Sequence, residues 1–176
     1  MEIAAIEPFL DYWQRIRQRT LRVAACIPAE RFEEPPRPDA FSCGDLLRHL
    51  ASLERYMFVE NALLRPSRYP GHGRELADGA DATLELVRRL HGESVALLAG
   101  LSRADLQVRT RTPDGADIPV WKWLRAMVEH ECHHRGQIYL ILGSWGVATP
   151  PLWGLTAEQV RERSVPAAAA TAGPAA

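Results

Sequence analysis

The sequence predicts an all-α protein built as a four-helix bundle, with a short extra C-terminal helix and a stretch before the last bundle helix that can close as a small hairpin. Three observations carry this prediction. Four long segments repeat apolar residues at helical spacing, strand-like alternation is nearly absent, and the connecting segments are long enough for crossovers.

The first helix is expected from about Pro8 to Ile27, where Phe9, Trp13, Ile16, Thr20, Val23 and Ile27 share one face and Arg15, Arg19 and Arg22 take the wet side. It ends at Pro28, which opens a connection running through Pro35-Pro36-Arg37-Pro38. The second helix, placed at 43–64, has the clearest start signal. Ser42 can cap it with Asp45 three residues on, and Phe41 can pack on Leu46 as a hydrophobic staple.

A Gly- and Pro-rich loop follows, from Arg65-Pro66 to Ala80, and Asp81 is expected to cap a third helix at roughly 82–100. Its inner side carries Leu84, Val87, Leu90, His91, Val95 and Leu98. Residues 108–118 alternate around Asp114-Gly115 and suit a hairpin too short to build a sheet. The fourth helix runs from about Pro119 to Ser144 and fades at Gly143 and Gly146. After Pro150-Pro151, Thr156 with Gln159 reads as a capping box for a short helix ending near Ser164. Residues 1–164 therefore read as one domain, and the Ala-rich stretch 165–176 reads as a disordered tail.

Composition narrows the function. The chain has 176 residues, 47% of them hydrophobic and 24% charged, which is ordinary globular chemistry with length for one core. Lys plus Arg number 21 against 22 Asp plus Glu, so no global field draws nucleic acid or an anionic membrane surface. No apolar run reaches the roughly 20 residues of a membrane span. The first residues lack the basic start and apolar stretch of a signal peptide, so a cytoplasmic protein is expected. Cys26, Cys43 and Cys132, odd in number and far apart, suit reduced thiols.

The chemistry concentrates in histidines. At about 100° per residue, His130, His134 and Gln137 lie mid-stripe on the buried face of the fourth helix, while Cys132 comes out nearly opposite. His49 falls among Leu46, Leu53 and Tyr56 on the second helix. Three neutral imidazoles then point into one core, a donor set for a divalent transition metal such as Zn, Ni, Fe or Co with open positions for water or substrate.

Against this stand plainer roles. A single core histidine is usually just hydrogen-bonded, and His91 is assigned to packing. His133, some 60° from His130, can substitute for a ligand or bond elsewhere, and His72 in its Gly-rich loop is expected to be solvated. Arg135 is read as a flank residue able to reach a carboxylate, and Gly136 as a point of close backbone approach. Gln137 can orient a ligand or a bound water. Glu131 is a candidate base, and Tyr56 and Glu60 share the stripe of His49 and can line a cavity, with core packing the favoured role for Tyr56.

Residues 130–134, His-Glu-Cys-His-His, also fit the H-E-x-x-H pattern of zinc peptidases, with Glu131 as base. The metzincin extension fails at Gln137 and Leu140, and no sheet edge is available to hold a peptide.

The longer string His130-Glu131-Cys132-His133-His134-Arg135-Gly136-Gln137, taken with Phe41-Ser42 and Leu46-Leu47-Arg48-His49-Leu50, resembles the DinB-like family. That family carries H-x-x-x-H-R-G-Q on its last bundle helix and L-x-H-L on its second. The resemblance spans about residues 8–164 and places the family's metal triad on His49, His130 and His134. It further implies a bundle that often dimerises, and metal-dependent transferase chemistry in which a low-molecular-weight thiol, such as bacillithiol or mycothiol, meets a small electrophilic substrate. Water in place of the thiol would make the protein a hydrolase, and a noncatalytic metal-binding bundle in stress response is the alternative. A homodimer is also suggested by five tryptophans, with Trp121 projected about 180° from His130.

Overall fold

The computed structural model describes residues 2–164; the predicted tail at 165–176 lies outside them. In chain order the elements are α1 (Ile6–Ala24), a 3-10 turn (Ala29–Arg31), α2 (Cys43–Leu53), a π turn (Glu54–Phe58), α3 (Val59–Ala62), α4 (Ala80–Leu98), α5 (Arg103–Gln107), β1 (Arg109–Arg111), β2 (Asp117–Pro119), α6 (Val120–Ser144) and α7 (Ala157–Arg163). Helices α1, α2 with α3, α4 and α6 form the four-helix bundle. In it, α2 packs against α4 and α6, and α1 packs against α6.

The capping signals read from the sequence act as expected at two ends. Ser42 Oγ accepts from the Asp45 amide at 3.0 Å while Asp45 accepts from the Ser42 amide, and Thr156 pairs with Gln159 in the same way. A third box, Ser102 with Asp105, starts α5, an element not anticipated although its signal is of the same kind. Asp81 does not cap α4. Gly79, at φ +79°, turns the chain into the helix two residues earlier, leaving Asp81 in the first turn, where its negative charge offsets the positive end of the helix dipole. The hairpin forms with Thr110 opposite Ile118, and Gly115 at φ +89° makes its turn.

The second bundle helix is not the regular helix expected at 43–64. A π turn interrupts it at Glu54–Phe58, and the helix ends at Ala62. A π turn holds an extra residue, so everything beyond it is rotated relative to a regular helix. Glu54 and Phe58 face the bundle, while the Tyr56 ring lies half-buried under the guanidinium groups of Arg55 and Arg68. Glu60 accepts from the same two arginines at 2.6 and 2.7 Å. The 100° projection that set Glu60 beside His49 does not survive this change of phase, while Tyr56 packs against the core at the Val23 end of the bundle, the role favoured for it.

The core has two apolar ends with a polar layer between them. One end joins Phe9, Trp13 and Ile16 of α1 to Phe58, Trp123 and Met127. The other joins Val23 and Ile27 to Leu47, Leu90, Ile138 and Leu142. Between them Arg17 pairs with Glu54 and, at 3.3 Å, with Glu131, and Thr20 donates to Glu131 Oε1 at 2.6 Å. His91 Nδ1 lies 3.3 Å from Glu54 Oε1, with its ring edge-on to Trp13 at 4.5 Å, which is the packing role expected of it. Arg135 is buried, and it reaches the Ile16 carbonyl and the Thr20 hydroxyl rather than a carboxylate.

Burial pushes the Glu54 carboxyl up, but the Arg17 charge and His91 outweigh it and hold Glu54 below the usual carboxylate range. Arg17, 1% exposed, keeps its proton against burial because Glu131 and Glu54 flank it. Arg17→Met leaves two buried carboxylates without their cation and is expected to cost about 3–5 kcal/mol in urea unfolding. Adding Glu131→Gln should recover part of that loss, and a single variant as stable as the parent would contradict the account.

Candidate metal centre

Three imidazoles meet where α2 faces α6. His130 Nε2 lies 3.1 Å from His49 Nε2 and 3.0 Å from His134 Nε2, and the three donor atoms all lie within 4.8 Å of one another. His130 and His134 share a face of α6 because they are four residues apart. His49 reaches them from the α-helical part of α2, before the π turn.

The outer nitrogens decide the tautomers. Gln137 Oε1, which can only accept, lies 2.6 Å from His134 Nδ1, so that nitrogen carries the proton and Nε2 keeps its lone pair. His49 Nδ1 lies 2.8 Å from the Tyr69 hydroxyl, and that hydroxyl lies 3.2 Å from His72 Nδ1. Donation along His49, Tyr69 and His72 leaves His49 Nε2 free as well.

Burial, reinforced by the neighbouring histidines, lowers His130 to about 3 and His49 to about 4, and burial also lowers His134. All three are therefore neutral near pH 7, the form that binds metal. His49, His130 and His134 would hold a divalent transition metal by their Nε2 atoms, and three protein donors would leave room on it for water or substrate. The donor set fits a divalent transition metal.

Other predicted residues fall elsewhere. Glu131 follows His130 in sequence, but its carboxylate turns to Arg17 and Thr20 in the polar layer, so the base of an H-E-x-x-H peptidase is not presented to the cluster. Tyr56 lies under Arg55 and Arg68, as described above. His133 is exposed, its ring 4.9 Å from that of His134. Cys132 is exposed and Cys43 is buried, its thiol pushed up to about 12 by burial. Gly136 has no close neighbour: a Cβ there would meet nothing within 4 Å. Trp121, the expected exposed aromatic, packs half-buried against the core, and the exposure falls on Trp153 instead.

Sequence reasoning missed Tyr69 and gave His72 and Phe41 other roles, a solvated loop residue and a staple on Leu46, without placing them at the site. His72 is not simply solvated: it bonds Tyr69 and packs on Phe41, whose ring centroid is 4.1 Å away, and Phe41 in turn packs on His49. Tyr69 and His72 belong to the segment between α3 and α4, where helical periodicity carries no information. Arg48 places that segment. Its buried guanidinium donates to the His72 and Ala77 carbonyls at 2.8 and 3.1 Å while both Glu33 oxygens and Asp45 hold its charge.

Among solved structures the chain is similar to a DinB-like protein from Bacillus cereus (18% identity, TM-score 0.71, covering 84% of this chain and 97% of that one). It is also similar to YfiT from Bacillus subtilis, described as a probable metal-dependent hydrolase with an unusual four-helix bundle topology (19% identity, TM-score 0.64, covering 81% and 90%). A third similar structure is a mycothiol-dependent maleylpyruvate isomerase variant (17% identity, TM-score 0.56), of which the match covers 61% against 81% of this chain. No curated protein matches by sequence. At these identities the structures speak for the fold. The family profile described as the DinB superfamily matches residues 12–138, and the chain belongs to that superfamily.

Proposed function

We propose that His49, His130 and His134 hold one divalent transition metal and that the protein is a metal-dependent transferase joining a low-molecular-weight thiol to a small electrophile. The observation that carries this reading is the convergence of three neutral Nε2 atoms, two of them oriented from behind by Gln137 and Tyr69. A metal bound there makes a thiol or water acidic enough to serve as a nucleophile near neutral pH.

The chain's residues supply the rest. Gln137 and Tyr69 fix the imidazole planes, and Phe41 covers one side of His49. The thiol gives its S–H proton to solvent, its sulfur attacks the electrophilic carbon to form the C–S bond, and the bond from that carbon to the leaving group breaks, the electron pair departing on that group, which takes a proton from solvent. Glu131 is not assigned the base, because Arg17 and Thr20 engage its carboxylate. The mycothiol dependence of one structural neighbour supports the choice of nucleophile, and the description of YfiT supports the metal. Homodimerisation and a cytoplasmic setting belong to the same proposal. Trp153, 73% exposed, offers apolar surface for the former, and no helix among the described residues is long and apolar enough to cross a membrane.

Elemental analysis of untagged protein purified without chelator is expected to find close to one transition metal per chain. Alanine at His49, His130 or His134 should remove most of it, and Tyr69→Phe should weaken affinity about 10-fold by freeing the His49 ring. Equal metal content in all variants would rule the centre out.

In chelated protein, His49 and His130 titrate at about 4 and about 3 when folded and near 6.5 when unfolded. Between those values the unfolded chain binds more protons, so stability falls as pH drops from about 6.5. The urea midpoint should be lower at pH 5 than at pH 7, with a smaller difference in His130→Asn.

Metal-loaded protein should accelerate conjugation of an electrophile with a thiol drawn from mycothiol, bacillithiol, glutathione and cysteine, most clearly below about pH 8, where free thiols are largely protonated. His130→Ala should abolish the acceleration and Cys132→Ser should not. Silence across the panel with metal bound would favour a noncatalytic metal-binding bundle.

A further inference from the structure

A cavity of about 380 Å³ opens beside the histidine cluster, and its lining joins the centre to a segment the mechanism does not use. His134 and its partner Gln137 form one part. Phe41, Leu46 and Leu140 supply apolar wall, and Arg37 stands among the lining residues with no carboxylate beside it. Leu140 is 75% exposed and Phe41 36%, so the wall presents apolar surface that the fold leaves uncovered. The Phe41 ring packs on both His49 and His72, which fixes that wall to the centre.

Among the described residues Arg37 is a cation with no ion-pair partner. The carboxylates nearest it in sequence are engaged elsewhere: Glu34 with Arg31, and Glu33 and Asp45 with Arg48. Asp39, two residues on, forms no ion pair with it, and among the described residues Arg37 enters no salt bridge. Its backbone is held in place. Pro36 and Pro38 restrict φ on either side, the Ala40 amide bonds the Arg37 carbonyl at 3.2 Å, and Asp39 adopts φ +63° to complete the turn. The Arg37 guanidinium and the absence of any acid from the lining make this cavity attractive to anions, and a divalent cation held by the three neutral imidazoles would add to that attraction.

We propose that Arg37 is a specificity-determining residue and that the cavity takes a small molecule with an apolar body and a carboxylate at its far end. The apolar body covers Phe41, Leu46 and Leu140, and the carboxylate pairs with the Arg37 guanidinium. This rests on the reading of His49, His130 and His134 as a metal centre open to a thiol.

The test uses full-length, zinc-loaded protein with metal content measured in every sample, and calorimetric titration with 6-mercaptohexanoate and 6-mercapto-1-hexanol. The carboxylated probe is expected to bind about fivefold tighter. Arg37→Gln should bring the ratio of the two affinities close to one, Arg37→Lys should keep part of it, and Arg37→Glu should invert it. Titration with hexanoate and 1-hexanol, which lack sulfur, separates the two possible failures. Absence of any advantage from sulfur overturns the thiol reading. An affinity ratio indifferent to the residue at position 37, in both pairs of probes, overturns the assignment of Arg37.

Discussion

The charged layer at mid-bundle is the constraint on which the other arrangements rest. Arg17 of α1 stands between Glu54 of the π turn and Glu131 of α6, with His91 of α4 on Glu54, so all four bundle helices contribute to one buried network. Charges taken out of water tolerate little displacement from their partners, whereas an apolar contact can slide by an ångström at small cost. The layer therefore sets the axial register of the helices more sharply than the apolar ends do. Its influence reaches the histidines directly, because Glu131 adjoins His130 on α6 and the Arg17 charge contributes to the low proton affinity of that imidazole.

The π turn connects this network to the metal centre. With its extra residue in the wide turn, α2 presents His49 to α6 at one level and Glu54 to Arg17 at the next. The same turn leaves Phe58 packed against His130 and Trp123, closing the centre on the side of the first apolar cluster. The centre is thus bounded by an aromatic ring on one side, by Phe41 near His49 on another, and by the cavity next to His134.

Much of this was legible in the chain, and the limits have physical causes. Helical projection found His130 and His134 because α6 is regular from Val120 to Ser144, and it found His49 because that residue precedes the π turn. Its phase is lost from Tyr56, inside the turn, to Glu60, beyond it, since a single inserted residue rotates the pattern without leaving a composition signal. It identified His91 as a packing residue but not its bond to Glu54, because which buried acid meets which buried base depends on how helices distant in sequence align. Tyr69 and His72 were out of reach for another reason: an irregular segment has no period, and its path is decided by Arg48, whose neighbours along the helix do not reveal that it is wholly buried.

That buried arginine has a consequence for how the site receives a ligand. The connection between α3 and α4 has no regular secondary structure, yet the Arg48 guanidinium grips two of its carbonyls and Ser52 Oγ holds the Gly71 carbonyl at 2.7 Å. Holding a backbone residue in one conformation costs about 1–2 kcal/mol of chain entropy. For the stretch that carries Tyr69 and His72, that loss occurs as the protein folds. A molecule arriving at the histidines meets a wall already in place, and its affinity is not reduced by the work of ordering one.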